Sequence, residues 1–206
     1  MKVILVNGSP HKEGCTYTAL REVADAIEKF GIETEIFNLG TTPIPGCIAC
    51  GACAKTGKCI YDDPVNEFVE KTKTADGFIF GSPVYYAGMA GQLCSFMDRA
   101  FYMGAKYMSG KPAAAVVSCR RGGTTSAFEQ INKYFTINCM PVVSSQYWNQ
   151  VHGNTPEEVK QDLEGLQMMR TLGNNMAWLV RCIDAGKKAG IDMPEREAPI
   201  RTNFIR

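Results

Sequence analysis

The sequence predicts an α/β fold: a doubly wound parallel sheet of five strands with helices packed on it. Three observations carry this prediction. Short apolar runs such as Val3-Ile4-Leu5-Val6 and Phe78-Ile79-Phe80 have the look of strands buried on both faces. Segments with apolar residues at helical spacing lie between such runs. The first, third and fourth runs stop at clusters rich in Gly, with Ser, Pro, Asn or Arg. Strands that alternate with helices pair in parallel through right-handed crossovers.

The elements follow in order. Val3 to Val6 is the first strand and stops at Asn7-Gly8-Ser9-Pro10. Leu20, Val23, Ala24 and Ile27 mark a helix that Gly31 closes. Glu33 to Leu39 alternates as a second strand. Residues 40–63 lack periodicity and hold four cysteines, so they read as an ordered, cysteine-rich loop insertion after strand two. Asp63-Pro64 starts a helix, with Asp at the cap and Pro at the first helical position, and Val65, Phe68, Val69 and Thr72 continue it. Phe78 to Phe80 is the third strand, ending at Gly81-Ser82-Pro83, and Leu93, Phe96, Met97 and Ala100 share a face of the next helix. Ala113 to Ser118 is the fourth strand, 126–138 is helical, and Met140 to Val143 is the fifth strand. Thr155-Pro156-Glu157-Glu158 is a capping box. Beyond it, Leu166, Met169, Met176, Leu179, Val180 and Ile183 support a long C-terminal helix running through Gly165 and Gly173. One domain over 1–190 with an irregular tail at 191–206 is expected.

Composition narrows the function. The 206 residues carry 22 Lys plus Arg and 21 Asp plus Glu, a net charge of +1. That balance argues against a nucleic-acid binder built on phosphate neutralisation and against an acidic carrier that docks by its field. Two histidines, His11 and His152, are too few for a multi-His metal centre, and His152 reads as structural. The opening apolar run is too short for a signal-peptide core, and no segment approaches a membrane span. A cytoplasmic protein with no membrane partner is expected, and its nine cysteines read as reduced thiols or metal ligands.

In open parallel sheets the ligand sits outside the carboxyl ends of the strands. That rule selects the loops 8–18, 40–63, 81–91 and 118–125. In the first, Ser9, Thr16 and Thr18 supply hydroxyls beside a helix N-terminus, an anion site suited to a terminal phosphate or, more simply, a capped βα turn. Neither a Walker A loop nor a Gly-x-Gly-x-x-Gly fingerprint is present.

Gly8-Ser9-Pro10 followed by Gly14-x-Thr16 resembles the phosphate loop of the NADPH-dependent FMN reductase family. The resemblance implies a flavodoxin-like sheet of order 2-1-3-4-5 and bound FMN. The family usually has Arg at the position of His11 and Asn at that of Cys15. It implies a phosphate cradle of Ser9, His11, Thr16, Tyr17 and Thr18, with Cys15 giving its amide. Gly81-Ser82-Pro83-Val84-Tyr85 resembles the family segment that lines the isoalloxazine, so Pro83, Val84, Tyr85, Tyr86, Gly88 and Met89 are candidates for the ring wall. A packed turn with core tyrosines is the alternative. Ser118, Arg120, Arg121, Gly122 and Gly123 would close the other side, where arginines or amides stabilise an anionic reduced ring. The alternative is a pair of solvated arginines before a helix. Asp98-Arg99 also matches the family and reads as structural. Tyr147 to Gly153 resembles a family segment or serves an oligomer contact.

Cys47-x2-Cys50-x2-Cys53-x5-Cys59 is the most specific pattern. Three thiolates at this spacing can wrap one corner of a cubane, and ferredoxins open with the same Cys-x2-Cys-x2-Cys. Structural zinc usually takes two separated Cys-x2-Cys knuckles. Zinc, reduced thiols and labile disulfides remain alternatives. The spacing resembles the compact motif of the iron–sulfur flavoproteins, a branch of the same family. That resemblance implies a [4Fe-4S] cluster on Cys47, Cys50, Cys53 and Cys59, an NAD(P)H or ferredoxin-type electron donor, a small-molecule acceptor, and a homo-oligomer, dimer or tetramer. No side chain is expected to be catalytic in its own right, since the cofactor carries the chemistry. Two other readings are an NAD(P)H-dependent FMN reductase acting on quinone, nitro, azo or flavin acceptors without a cluster, and a non-enzymatic electron carrier or redox sensor. Of the remaining cysteines, Cys94, Cys139 and Cys182 read as buried filler, and Cys15 and Cys119 as candidate reactive thiols in the flavin loops.

Overall fold

The apolar runs settle into one parallel sheet because their side chains are buried on both faces. The computed structural model describes residues 1–204. Ile205 and Arg206, the end of the expected tail, lie outside the described residues. The strands are β1 (Lys2–Asn7), β2 (Glu33–Asn38), β3 (Gly77–Tyr85), β4 (Gly88–Met89), β5 (Ala113–Cys119) and β6 (Gln150–His152). Five of them pair in parallel in the order β2-β1-β3-β5-β6, and β4 pairs antiparallel with the end of β3. Without that short hairpin arm, the order is the expected flavodoxin-like 2-1-3-4-5. In register, Asn7 faces both Asn38 and Gly81, so β1 and β2 finish level while β3 runs on to Tyr85.

The helices are α1 (Cys15–Glu28), α2 (Ala52–Thr56), α3 (Pro64–Thr72), α4 (Gly91–Met108), α5 (Thr124–Ile137), α6 (Pro156–Val159) and α7 (Leu163–Lys188). Successive β1 side chains enter opposite layers, as strand geometry requires. Ile4 and Val6 join the core of α3, α4 and α5, while Val3 and Leu5 join that of α1 and α7. Phe68 organises the first layer, its ring centroid 5.0 Å from Phe96, 5.7 Å from Phe37 and 5.9 Å from Phe80. In the second layer a Cβ on Gly173 would stand 2.6 Å from the Val23 carbonyl oxygen, so the close approach of α7 to α1 explains a glycine inside a helix.

Four expectations need correction. Met140–Val143 is not the fifth strand: it makes a single bridge, Ala113 to Val142, and β6 completes the sheet edge instead. The chain leaves the edge between these two contacts. Asn149 fills the gap, its Nδ2 donating to the Ala115 carbonyl at 3.0 Å and its own carbonyl accepting from Val117 N at 3.0 Å. The third strand does not end at Gly81-Ser82-Pro83 but runs on to Tyr85 and turns back. Thr155 does cap a helix, with Oγ1 accepting from Glu158 N at 3.3 Å, yet that helix is the four-residue α6. The long helix starts at a second cap, Asp162, which accepts from Gly165 N at 2.9 Å. Cys139 and Cys182 are exposed, so these two are not core filler, whereas Cys94 is half-buried and packs against the core. Cys139 follows α5 in a left-handed turn at φ 53°, and Cys182 lies on an outer position of α7.

Residues 191–204 have no regular secondary structure. Arg196 donates to Ser109 Oγ, just past the end of α4. Among the described residues no helix is long and apolar enough to cross a membrane.

Candidate functional site

Three of the four loops chosen from the sequence touch one another at the carboxyl edge of the sheet. Gly8 N donates to the Gly81 carbonyl at 2.8 Å, joining the loops after β1 and β3. Thr16 Oγ1 and Ser118 Oγ share a hydrogen bond of 2.8 Å, joining the loops after β1 and β5. Gly123, at φ 92°, lies so near the β3–β4 hairpin that a Cβ there would stand 2.9 Å from Ala87 Cα. A side chain at 123 would push the two loops apart.

The first loop is shaped by Asn7, which is fully buried at the end of β1. Its Nδ2 donates to Asn38 Oδ1 at 2.9 Å and to the Lys12 carbonyl at 3.3 Å, and its Oδ1 accepts from Ser9 N at 3.1 Å. Ser9 Oγ accepts from His11 N at 3.2 Å. The loop thus curls over the start of α1, whose N-cap is Gly14 with no side-chain cap. First-turn amides without a capping side chain, at the positive end of the helix dipole, suit an anion. Among the candidate hydroxyls, Thr18 donates back to the Gly14 carbonyl at 3.1 Å, and Thr16 is buried against Ser118. His11 and Lys12 are exposed, and Tyr17 is half-buried.

The second loop is a two-residue hairpin. Tyr86 and Ala87 both adopt left-handed backbone, at φ 49° and 60°, between the paired residues Tyr85 and Gly88. Such a turn normally takes Asn or Gly, so the backbone here is strained. Surrounding contacts hold it: Ser82 Oγ accepts from Ala90 N at 2.9 Å, and Gln130 Oε1 accepts from Met89 N at 3.0 Å. Pro83 and Val84 are half-buried, Met89 is buried, and Tyr85 and Tyr86 project into solvent. The third loop exposes Arg120, Arg121 and Gly122 before α5, with Ser118 buried behind them. Cys15 and Cys119 flank this region. The Cys15 thiol lies 3.7 Å from the Gly153 carbonyl. Burial pushes both thiols above their ordinary value, which disfavours the reactive thiolate.

The cysteine loop leaves β2 and folds against α4. Gln92 Nε2 donates to the Gly40 carbonyl at 2.8 Å, and Ile44 is buried in the core. Cys47, Cys50, Cys53 and Cys59 line one concavity, together with Ile48, Ile60, Tyr102, Met103 and Arg99. Cys47 and Cys50 are exposed, and Cys53 and Cys59 are half-buried. Among the described residues no three His, Cys, Asp or Glu side chains are gathered closely enough to bind one metal ion. The donor set nonetheless suits a cluster: four thiols share one apolar wall, and a buried guanidinium faces one sulfur. Arg99 Nε and Nη2 lie 3.4 and 3.2 Å from Cys59 Sγ, and Arg99 also pairs with Asp63. Sequence reasoning took Arg99 for a structural residue and Asp63 for a helix cap. Asp63 is that cap, accepting from Val65 N at 3.1 Å, and also the partner of Arg99. Gln130 carried no sequence signal and Asn149 was marked only as part of the 147–153 segment, since nothing local shows that a side chain bonds to another strand or hairpin.

The geometry can be set beside known proteins. The sequence profile of the NADPH-dependent FMN reductase family matches residues 1–155. An iron–sulfur flavoprotein of Methanocaldococcus jannaschii is 38% identical over 191 residues, covering 89% of this chain and 99% of its own. A second iron–sulfur flavoprotein of that organism is 33% identical over 185 residues, covering 82% of this chain and 92% of its own. Among solved structures, a flavodoxin from the domain Archaea superposes with a TM-score of 0.60 at 19% identity, over 88% of this chain and 99% of its own.

Proposed function

We infer the function from one premise: the chain belongs to the NADPH-dependent FMN reductase family, and it is a flavin-dependent oxidoreductase. We propose that it passes electrons between FMN, a [4Fe-4S] cluster in the loop after β2, and external partners. The observation that carries the cluster is the gathering of Cys47, Cys50, Cys53 and Cys59 around one concavity. The names of the relatives support it, since both Methanocaldococcus proteins are called iron–sulfur flavoproteins.

When bound, FMN would supply hydride acceptance and stepwise electron release, and a cluster would supply one-electron capacity. The residues of this chain bind, orient and shield. The uncapped amides at the start of α1, with Ser9, His11, Cys15, Thr16, Tyr17 and Thr18, would hold the phosphate. Pro83, Val84, Tyr85, Tyr86, Gly88 and Met89 on one side, and Ser118, Arg120, Arg121, Gly122 and Gly123 on the other, would frame the ring. The close approach of Gly123 to Ala87 would set the distance between these two walls. The reading extends to one FMN-binding domain over 1–190 with the tail outside it, a cytoplasmic homo-oligomer, an NAD(P)H or ferredoxin-type donor, and a small-molecule acceptor.

Anaerobic purification followed by a visible spectrum with iron and acid-labile sulfide assays tests the proposal. Flavin bands together with iron and sulfide in equal amounts are expected, and Cys50→Ser should remove the iron while leaving the flavin. Flavin without iron or sulfide would leave an FMN reductase without a cluster. Absence of flavin would overturn the whole site.

A further inference from the structure

Arg99 sits in α4 and is only 2% exposed, so its charge lies out of water. A buried cation is costly unless paired and hydrogen-bonded. One carboxylate meets the first need: Nη1 and Nη2 donate to Asp63 at 2.5 and 3.0 Å. The remaining donors are aimed along the cysteine loop. Nη1 also reaches the Pro45 carbonyl at 3.2 Å, before Cys47, and the guanidinium lies 4.8 Å from the Tyr61 ring centroid, after Cys59. Nε and Nη2 converge on Cys59 Sγ at 3.4 and 3.2 Å. Asn66 fixes the Cys59 backbone, accepting from its N–H at 2.8 Å and donating to its carbonyl at 3.2 Å. Among the described residues, the sulfurs of Cys47, Cys50 and Cys53 receive no side-chain donor. A planar fork of charged donors on one sulfur has little use for a neutral thiol, which is a weak acceptor. It is matched to an anionic, ligating sulfur.

We propose that Arg99 is a positioning residue for the cluster: by donating to the Cys59 sulfur it singles out that corner and raises the cluster's reduction potential. The inference rests on the cluster reading above. Reduction adds one negative charge, and a cation held against one ligand stabilises the reduced form. Hydrogen bonds to sulfur and local charge are known levers on such potentials. Asp63 opposes the effect, because its carboxylate offsets part of the Arg99 charge. The two residues therefore make opposite predictions, and a purely structural pair would not.

The test is a redox titration of the anaerobically purified full chain, with the cluster followed by electron paramagnetic resonance and the flavin by absorbance. Arg99→Gln is expected to disfavour cluster reduction about tenfold, 59 mV for one electron. Asp63→Asn keeps an N-cap residue for α3 and is expected to shift the cluster midpoint in the opposite, positive direction. Arg99→Lys, which keeps the charge but loses the fork, should fall between Arg99→Gln and the wild type. The flavin midpoint serves as the internal reference and should stay in place. If Arg99→Gln does not fold or loses iron, Asp63→Asn decides: a cluster midpoint equal to wild type overturns the proposal. An unmoved midpoint in iron-replete Arg99→Gln overturns it as well. A wild-type chain without iron or sulfide refutes the cluster reading itself and takes this inference with it, an outcome distinct from a cluster whose potential ignores Arg99.

Discussion

Burial decides which cysteines can react. Cys119 is 8% exposed and Cys15 is half-buried, and burial raises both thiols, helped at Cys15 by Glu158 and Glu157. Cys139 and Cys182 are open to solvent. Because the thiolate is the attacking species, iodoacetamide at neutral pH should modify Cys139 and Cys182 well before Cys15 and Cys119. Peptide mass spectrometry over a time course reads the order directly, and comparable rates at all four would contradict it. The sequence led to the opposite assignment, since local neighbours made Cys139 and Cys182 look like core and loop position made Cys15 and Cys119 look available. Exposure belongs to the packed molecule. Cys139 is turned out by its left-handed backbone, and Cys182 by the side of α7 on which it falls.

At the scale of elements, the interrupted last strand is the most informative departure. An apolar run at 140–143 looks like a strand, and in part it behaves as one: Ala113 N donates to the Pro141 carbonyl at 2.9 Å, and Val143 N to the Ala113 carbonyl at 2.8 Å. Periodicity had no means of showing that the edge is then finished by 150–152, with a side chain bridging the interval. Asn149 is 1% exposed, and its loss would strand the Ala115 carbonyl in the interior. Asn149→Ala is expected to destabilise the protein by about 1–3 kcal/mol, the cost of a buried unmet partner. Urea unfolding of the two proteins under identical conditions measures this, and a difference near zero would mean that water or a shifted backbone replaces the bond. The helices were more legible. Asp63-Pro64 places the start of α3 correctly because a cap is a local device. The capping box at Thr155 marks a real helix but the wrong one, since Asp162 supplies the cap of α7.

For the molecule as a whole, a charge clasp ties the edge strand to the fold. Glu35 of β2 pairs with Lys2 of β1 at 2.7 Å and with Lys71 of α3 at 3.0 Å. Burial works against the Glu35 charge, but the hydrogen bonds from Lys2 and Lys71 outweigh it and hold the carboxyl below its ordinary value. A lowered folded-state value contributes stability above the unfolded-state value, lost as pH falls through the folded one. Glu35→Gln should therefore lower stability by about 1 kcal/mol or less at neutral pH, and the difference from wild type should shrink below about pH 4.3. Thermal melts from pH 7 down to pH 3 follow it. A deficit that persists unchanged into acid would assign the effect to packing instead of charge.

The amino-acid sequence alone established the class of sheet, the loops at its carboxyl edge and the spacing of the four cysteines. These features come from local rules: apolar runs, glycine stops, caps and short-range motifs that need no distant partner. Only the tertiary structure decided which residues support the site from afar. It set Arg99 against Cys59 across forty positions of chain, closed the sheet edge with Asn149, pressed Gly123 against Ala87 and chose which thiols meet solvent. Each of these is a contact between segments far apart in sequence. Its energy comes from burial and hydrogen-bond satisfaction in the packed state, which no local pattern encodes.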